Sequence, residues 1–215
     1  MIDVVVTSCA RPEMLERTVV SFKENVRFSG DMRMILIEDF VEDDERRIAG
    51  RSWIEKNSSL FDEVVVMKEN VGPYRQFQNA ASRVDAPYMF KMDDDAEFIA
   101  EIDLDAMVEI MAQDGTLAQL ILRRGEHKEV SPSVEKVGAH EIVVHDFYSI
   151  SFGIHRMIDV RRLFGKIGWD TEAHESGVLT PTARKLCMRC AIFGRNNVHY
   201  RHVGGEMGYD KGKWK

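Results

Sequence analysis

Four apolar runs separated by three amphipathic stretches fill the first 92 residues, and this alternation restricts the fold more than any other feature of the sequence. Residues 1–7 (MIDVVVT), 32–40 (MRMILIEDF), 61–68 (FDEVVVMK) and 88–92 (YMFKM) are short and rich in strand formers. Between the first two, a helix opens near Pro12 and carries Leu15, Val19 and Phe22 at roughly helical spacing. Residues 43–57 and 73–84 read as two further helices. Strands and helices joined by short loops make βα units and a largely parallel sheet. Such a sheet binds ligands beyond the carboxyl ends of its strands.

Each of those ends is polar. The first strand runs into Thr7, Ser8 and Arg11, and the second into Glu38 and Asp39. The third leads to Asn70, Gly72 and Arg75, and the fourth stops on Asp93, Asp94 and Asp95. Three successive carboxylates repel one another and are costly to desolvate unless something positive joins them. Asp95 as the cap of a following turn is the plain account of such a run. Four adjacent strands delivering polar groups to one rim favour a bound, charged ligand instead.

Beyond residue 100 the pattern loosens. Residues 103–113 read as a helix, 116–124 as a strand, and 126–138, with Ser131 and Pro132, as an exposed loop. Residues 140–156 are β-branched and aromatic, suited to antiparallel strands, and 196–205 close the chain with a short strand and turn. Residues 177–194 read as a helix with Pro181 in its first turn and Gly194 at its end. Neither a repeat nor a linker interrupts the chain, so the expectation is one domain, residues 1–215, in two halves: 1–100 and 101–215.

A net charge of −7 gives no general attraction to nucleic acid or anionic membrane, although Arg123, Arg124, Lys128 and the tail 209–215 are locally basic. The three cysteines, Cys9, Cys187 and Cys190, are too few and odd in number for a disulfide framework. The CMRC segment (187–190) lacks a second pair and falls in the expected helix, so packing is its default role. The first residues lack the composition of a signal peptide, and no apolar run approaches the roughly 20 residues of a spanning helix. The chain reads as soluble and cytoplasmic.

Taken together, the motifs resemble the GT-A-fold glycosyltransferases, in particular the inverting family 2 type. The opening VVVTSCARPEMLERTVVSF resembles that family's first strand, loop and helix. ILIEDF stands where relatives have a strand ending in paired acids, and ENVGPYRQFQNAASRVDAPYMFKMDDDAEF matches an Asn-x-Gly loop, helix, strand and DxD motif in order. FGKIGWDTEAHES resembles the acceptor-side segment with the catalytic carboxylate, and VHYRHVGG the closing strand with a metal-binding histidine. Three departures stand out: Glu-Asp-Phe instead of Asp-Asp-Gly at the second strand end, Gln78 near a customary arginine, and His-Glu-Ser instead of Glu-Asp.

The resemblance implies a GT-A (Rossmann-like) α/β domain: a mostly parallel sheet flanked by helices, a nucleotide-sugar half first and a smaller antiparallel acceptor-side part second. It implies a metal-dependent, inverting transfer from a nucleotide-sugar, with UDP favoured because a carboxylate can accept from uracil N3–H. Mn²⁺ or Mg²⁺ would be held by Asp95, with Asp93 toward the ribose or sugar hydroxyls or sharing the ion, Asp94 supporting the loop, and His202 as a further ligand. Thr7, Ser8 and Arg11 would line the nucleotide together with Asn70 and Gly72; Asp39, or Glu38 in its place, would take the base; Arg75 or Lys91 would offset the diphosphate. Glu175 is the first choice of base for the acceptor hydroxyl, with Asp170 and Glu172 competing, His174 orienting and Trp169 stacking on a sugar or filling the core. The acceptor is a saccharide, a protein or a hydroxymethylated DNA base. A nucleotidyltransferase and a non-catalytic sugar-nucleotide-binding protein are the alternatives.

Overall fold

The carboxyl ends of four parallel strands form one rim, and the rest of the architecture holds that rim in place. A computed structural model describes residues 1–123, 133–145, 147–150, 152–169, 175–194 and 198–204. The chain begins β1 (Ile2–Ser8), α1 (Pro12–Asn25), β2 (Val26–Arg27), β3 (Met32–Glu38), α2 (Asp44–Asn57), β4 (Glu63–Val66) and α3 (Gly72–Arg83). It continues through β5 (Tyr88–Asp93), β6 (Ala96–Phe98), β7 (Ile102–Asp103), α4 (Leu104–Gln113) and β8 (Leu117–Ile121). Then come β9 (Ser133–Val137), β10 (His140–His145), β11 (Gly153–Arg156), α5 (Met157–Ile167), α6 (Thr180–Lys185), β12 (Arg189–Phe193) and β13 (Tyr200–His202).

Nine strands make one sheet in the order β4-β3-β1-β5-β11-β8-β12-β10-β9. The first four are mutually parallel, as the βα alternation requires. β11 enters antiparallel between β5 and β8, β12 runs parallel to β8, and β10 and β9 complete an antiparallel flank. Successive strand residues serve opposite faces. Val4 and Val6 of β1 pack with Leu15, Val19 and Phe22 of α1 and with Met107 and Ile110 of α4. Val5 faces the other way, toward Phe77 and Ala81 of α3 and Val160 and Phe164 of α5. The strands read as continuous apolar runs because both faces are covered. Asp43 caps α2 by accepting from Arg46 N–H at 3.0 Å, and Asp103 caps α4 by accepting from Ala106 N–H at 3.0 Å.

Two expectations need correction. Within the stretch expected to be an exposed loop, residues 133–137 form β9, whose pairing with β10 supplies a partner that local composition does not announce. The helix expected over 177–194 ends at Lys185, after a π-helical turn (Glu175–Leu179) and α6; Cys187 adopts φ 55°, and the chain then turns into β12 between β8 and β10. Pairing on both edges outweighs the helical tendency of the segment, so Cys190 sits buried on a strand. The helix α5, absent from the sequence reading, covers the face shared with α3 through Phe164 and Tyr74, 5.8 Å apart. Ser131 and Pro132, Arg124, Lys128 and the basic tail lie outside the described residues.

Gly153 lets β11 enter the sheet. A Cβ there would stand 2.5 Å from Ile121 Cα and from Leu120 O, and its φ of 154° is disfavoured for other residues. Gly153→Ala is therefore expected to destabilise the fold by about 2–3 kcal/mol, measured as a lower urea midpoint at unchanged m-value.

Candidate active site

The acidic run turns out to be a turn as well as a strand end. Asp93 is the last residue of β5, while Asp94 and Asp95 form the tight connection to β6. Alternation along the strand therefore aligns Lys91 with Asp93 and does not extend to Asp95. Each carboxylate has its own partners. Asp93 accepts from Thr7 Oγ1 at 2.5 Å and pairs with the buried Lys91 ammonium. Asp94, 0% exposed, accepts from Ser8 Oγ at 2.9 Å, Cys9 N–H at 3.2 Å and Arg11 Nε at 3.1 Å, and its second oxygen pairs with Arg11 Nη2. Asp95 takes Arg11 Nη1 at 3.2 Å and His202 Nε2 at 2.8 Å.

Arg11 thus bridges two neighbouring acids. Burial works against its charge, yet the Asp94 and Asp95 carboxylates hold the guanidinium above its already high range. Burial likewise pushes the Asp95 carboxyl upward, but the His202 hydrogen bond and the Arg11 charge bring it below the usual carboxylate range. An ionised carboxylate oxygen and an imidazole are each groups that a divalent ion can take, and here they are hydrogen-bonded to one another. The backbone is shaped around that pair: Val203 N–H donates to Asp95 O at 2.9 Å, and a Cβ on Gly204 would lie 2.8 Å from His202 Cε1 and 2.9 Å from Asp95 Oδ2. Among the described residues, no cluster of three or more His, Cys, Asp or Glu side chains surrounds a single point.

The second strand end is arranged differently from the expectation of a free base reader. Asp39 accepts from the N–H groups of Phe40 at 2.9 Å, Val71 at 3.0 Å and Gly72 at 3.0 Å. Its oxygens thereby anchor the Asn-x-Gly loop, with Asn70 Nδ2 donating to Phe40 O at 3.1 Å. Glu38 turns inward to Ala10 N–H at 2.6 Å, and burial pushes its carboxyl up to about 7. Burial, with Asp39 and Asp94 nearby, also raises the Cys9 thiol to about 12, which keeps it from acting as a thiolate near neutral pH.

The structure brings together Thr7, Ser8, Arg11, Lys91, Asp93, Asp94, Asp95 and His202, with Glu38, Asp39, Asn70 and Gly72 beside them. Arg75 stands apart, on the outer flank of α3 with Gln78 and Asn79, in a cavity whose far side is Trp169. Asp170, Glu172 and His174 lie outside the described residues; of Glu175 only the backbone is described, in a π-helical turn (Glu175–Leu179) entering α6. Sequence reasoning missed Gln76, whose Nε2 donates to Ser8 O at 2.8 Å, and Arg46, whose Nη2 donates to Cys9 O at 2.9 Å. Nothing in the spacing of Arg46 signals that role, whereas Gly204 belonged to a motif already singled out.

With this geometry in hand, comparison with known proteins is informative. A family model described as glycosyl transferase family 2 matches residues 3–178. Among solved structures, mannosyltransferase PcManGT from Pyrobaculum calidifontis, in complex with GDP-Man and Mn²⁺, superposes with a TM-score of 0.65 at 16% identity, over 97% of this chain and 58% of that one. S. aureus TarS 1-349 in complex with UDP-GlcNAc gives 0.64 at 14% identity, over 93% and 57%. GalNAc-T7 with UDP, GalNAc and Mn²⁺ gives 0.67 at 11% identity, over 94% and 43%. These similarities establish the GT-A fold. The chain spans from 36% to 62% of the length of the TarS chains it matches. No curated protein matches the chain by sequence.

The elevated Glu38 carboxyl has a consequence for stability. Between about pH 4.5 and 7 the folded protein binds a proton there that the unfolded chain releases, so this group lowers stability as pH rises across that window and has a constant effect above it. Glu38→Gln retains an acceptor for Ala10 N–H and removes the ionisation. Its gain over wild type is expected to grow from nothing near pH 4.5 to roughly 3 kcal/mol above pH 7, read from denaturant curves across that range.

Proposed function

The chain belongs to glycosyl transferase family 2, and on that premise we propose that it moves a sugar from a UDP-sugar to an acceptor hydroxyl with inversion. The observation that carries this reading is the convergence of Asp93, Asp94 and Asp95 with Arg11 and His202 at the ends of parallel strands. Carboxylates there serve a leaving diphosphate only through a cation. UDP is favoured as the nucleotide because TarS and GalNAc-T7 were both solved with UDP or a UDP-sugar, and because the rim keeps a carboxylate, Asp39, for the base.

Within this reading Asp95 and His202 hold the divalent ion, Mn²⁺ or Mg²⁺, which when bound neutralises charge on the departing diphosphate. Asp93 keeps one oxygen bonded to Thr7 and Lys91 and turns the other toward ribose or sugar hydroxyls. Lys91 contributes positive charge from inside the rim. Asp94 acts by positioning, since through Ser8, Cys9 and Arg11 it clamps the first loop, on which the nucleotide rests. Asp39 holds the loop over which the base lies, with a lone pair remaining for a base N–H. Glu175 takes the proton of the attacking hydroxyl, and Asp170 and Glu172 are its competitors on the same segment. The acceptor is a saccharide, a protein or a hydroxymethylated DNA base. Among the described residues no helix is long and apolar enough to cross a membrane.

UDP is expected to bind at least tenfold more tightly with Mn²⁺ than with EDTA, and Asp95→Ala to erase that difference; calorimetry giving equal affinities for wild type in both conditions rejects the metal assignment. Glu175→Gln should leave UDP affinity near normal while lowering sugar transfer by about 10²–10⁴-fold. Full turnover in that variant moves the base to another carboxylate.

A further inference from the structure

Outside the acidic rim the molecule has a second polar concavity, of about 430 Å³, between the loop after β4, the outer flank of α3 and Trp169. We propose that this cavity binds a saccharide and that this saccharide is the acceptor; the second half of the statement rests on the sugar-transfer reading above.

The volume lies within the range of small-molecule sites. Its floor is a stripe of α3 at helical spacing, Arg75, Gln78, Asn79 and Ser82, which shares one face of the helix. Hydrogen-bonding capacity on that stripe is left over. Arg75 Nε is buried without a partner among the described residues. Asn79 uses its amide nitrogen on the backbone O of Arg75 at 2.9 Å, and its side-chain oxygen remains an acceptor. Ser82 donates to the backbone O of Asn79 at 2.8 Å, accepts from Arg83 Nη1 at 3.5 Å and keeps one lone pair. Glu69 at the edge supplies a charge opposite to that of Arg75, so the cavity is locally balanced and not built for a phosphate or a nucleic-acid strand.

Trp169 is the other wall. Its ring packs against Phe164 with centroids 4.8 Å apart and an interplanar angle of 32°, yet the residue remains 37% exposed. A tryptophan that only filled the core would be covered on both sides. A flat apolar face opposite amides, a hydroxyl and a charged pair recognises a ring with an apolar C–H face and a rim of hydroxyls, which is a pyranose.

The cavity also shares a wall with the strand-end rim. Val71 lines it, and the N–H groups of Val71 and Gly72 are held by Asp39. Gln78 Nε2 reaches Gly168 O at 3.5 Å, which joins α3 to the residue before Trp169. The segment carrying Asp170, Glu172 and Glu175 starts at that tryptophan.

The test is an array of mono- to tetrasaccharides screened by saturation-transfer NMR against the whole chain, with a hydroxymethylcytosine oligonucleotide and an unstructured Ser/Thr-rich peptide as the other arms. The strongest binder is then titrated against Ser82→Phe, which fills the cavity from an exposed helix position, and against Arg75→Ala. Both variants are expected to weaken the saccharide at least tenfold, while Ser82→Phe keeps the thermal shift caused by UDP with Mn²⁺. Failure of every saccharide to bind, equal binding to both variants, or displacement of the saccharide by the oligonucleotide or peptide overturns the assignment. A wild type that ignores UDP but still loses its saccharide in Ser82→Phe removes the transferase reading and leaves the cavity assignment standing.

Discussion

A parallel sheet can carry three adjacent carboxylates at a strand end only if each is compensated, and that requirement organises the rim of this protein. Asp94 is fully buried and would be prohibitively placed without the two nitrogens of Arg11 and the donors from Ser8 and Cys9. The same arginine continues to Asp95, and Lys91 and Thr7 both hold one oxygen of Asp93. Because Arg11 precedes α1 and the acids follow β5, these pairs join segments more than 80 positions apart in sequence. The charge network thereby fixes where the first loop runs, and with it the shape of the rim. Asp94 contributes more to that geometry than to any ligand.

The first half of the chain was legible in the sequence because its elements are locally specified. The strands β1, β3 and β5 are apolar on both faces, and the helices between them begin at proline or at an aspartate cap, so composition and position agree. The second half lacks that agreement. Residues 133–137 (SVEKV) set two adjacent charges between two valines and become a strand only through β10, and residues 189–193 follow a helix without a break in composition. In both places a long-range pairing decided the outcome, which no local pattern encodes.

Site chemistry was legible to the level of residue type and less so to the level of partner. Asp95 and His202 stand 107 positions apart and meet at 2.8 Å, and the Gly204 that allows the approach lies in the same short motif as the histidine. Asp39 was readable as an acid at a strand end, but not as an acid whose oxygens already hold three backbone N–H groups. Glu38, the neighbouring candidate, points inward to Ala10. Which of two consecutive acids faces a loop and which faces the interior depends on the twist and packing of the finished sheet. Alternation predicts that they differ and does not say which is which.

The position of Asp39 also links the two halves of the chemistry. By holding Val71 and Gly72 it sets the first turn of α3, and α3 presents Arg75, Gln78, Asn79 and Ser82 to the cavity beside Trp169. Gly72 itself has φ 71°, a conformation that β-substituted residues seldom adopt, so the loop enters the helix at a sharp, defined angle. The strand end at Asp39 and the α3 face toward the cavity are thereby joined by one anchored loop. The packed faces of α3 against β1 and α5 leave the helix few ways to deform, so its outer face keeps a fixed relation to that loop.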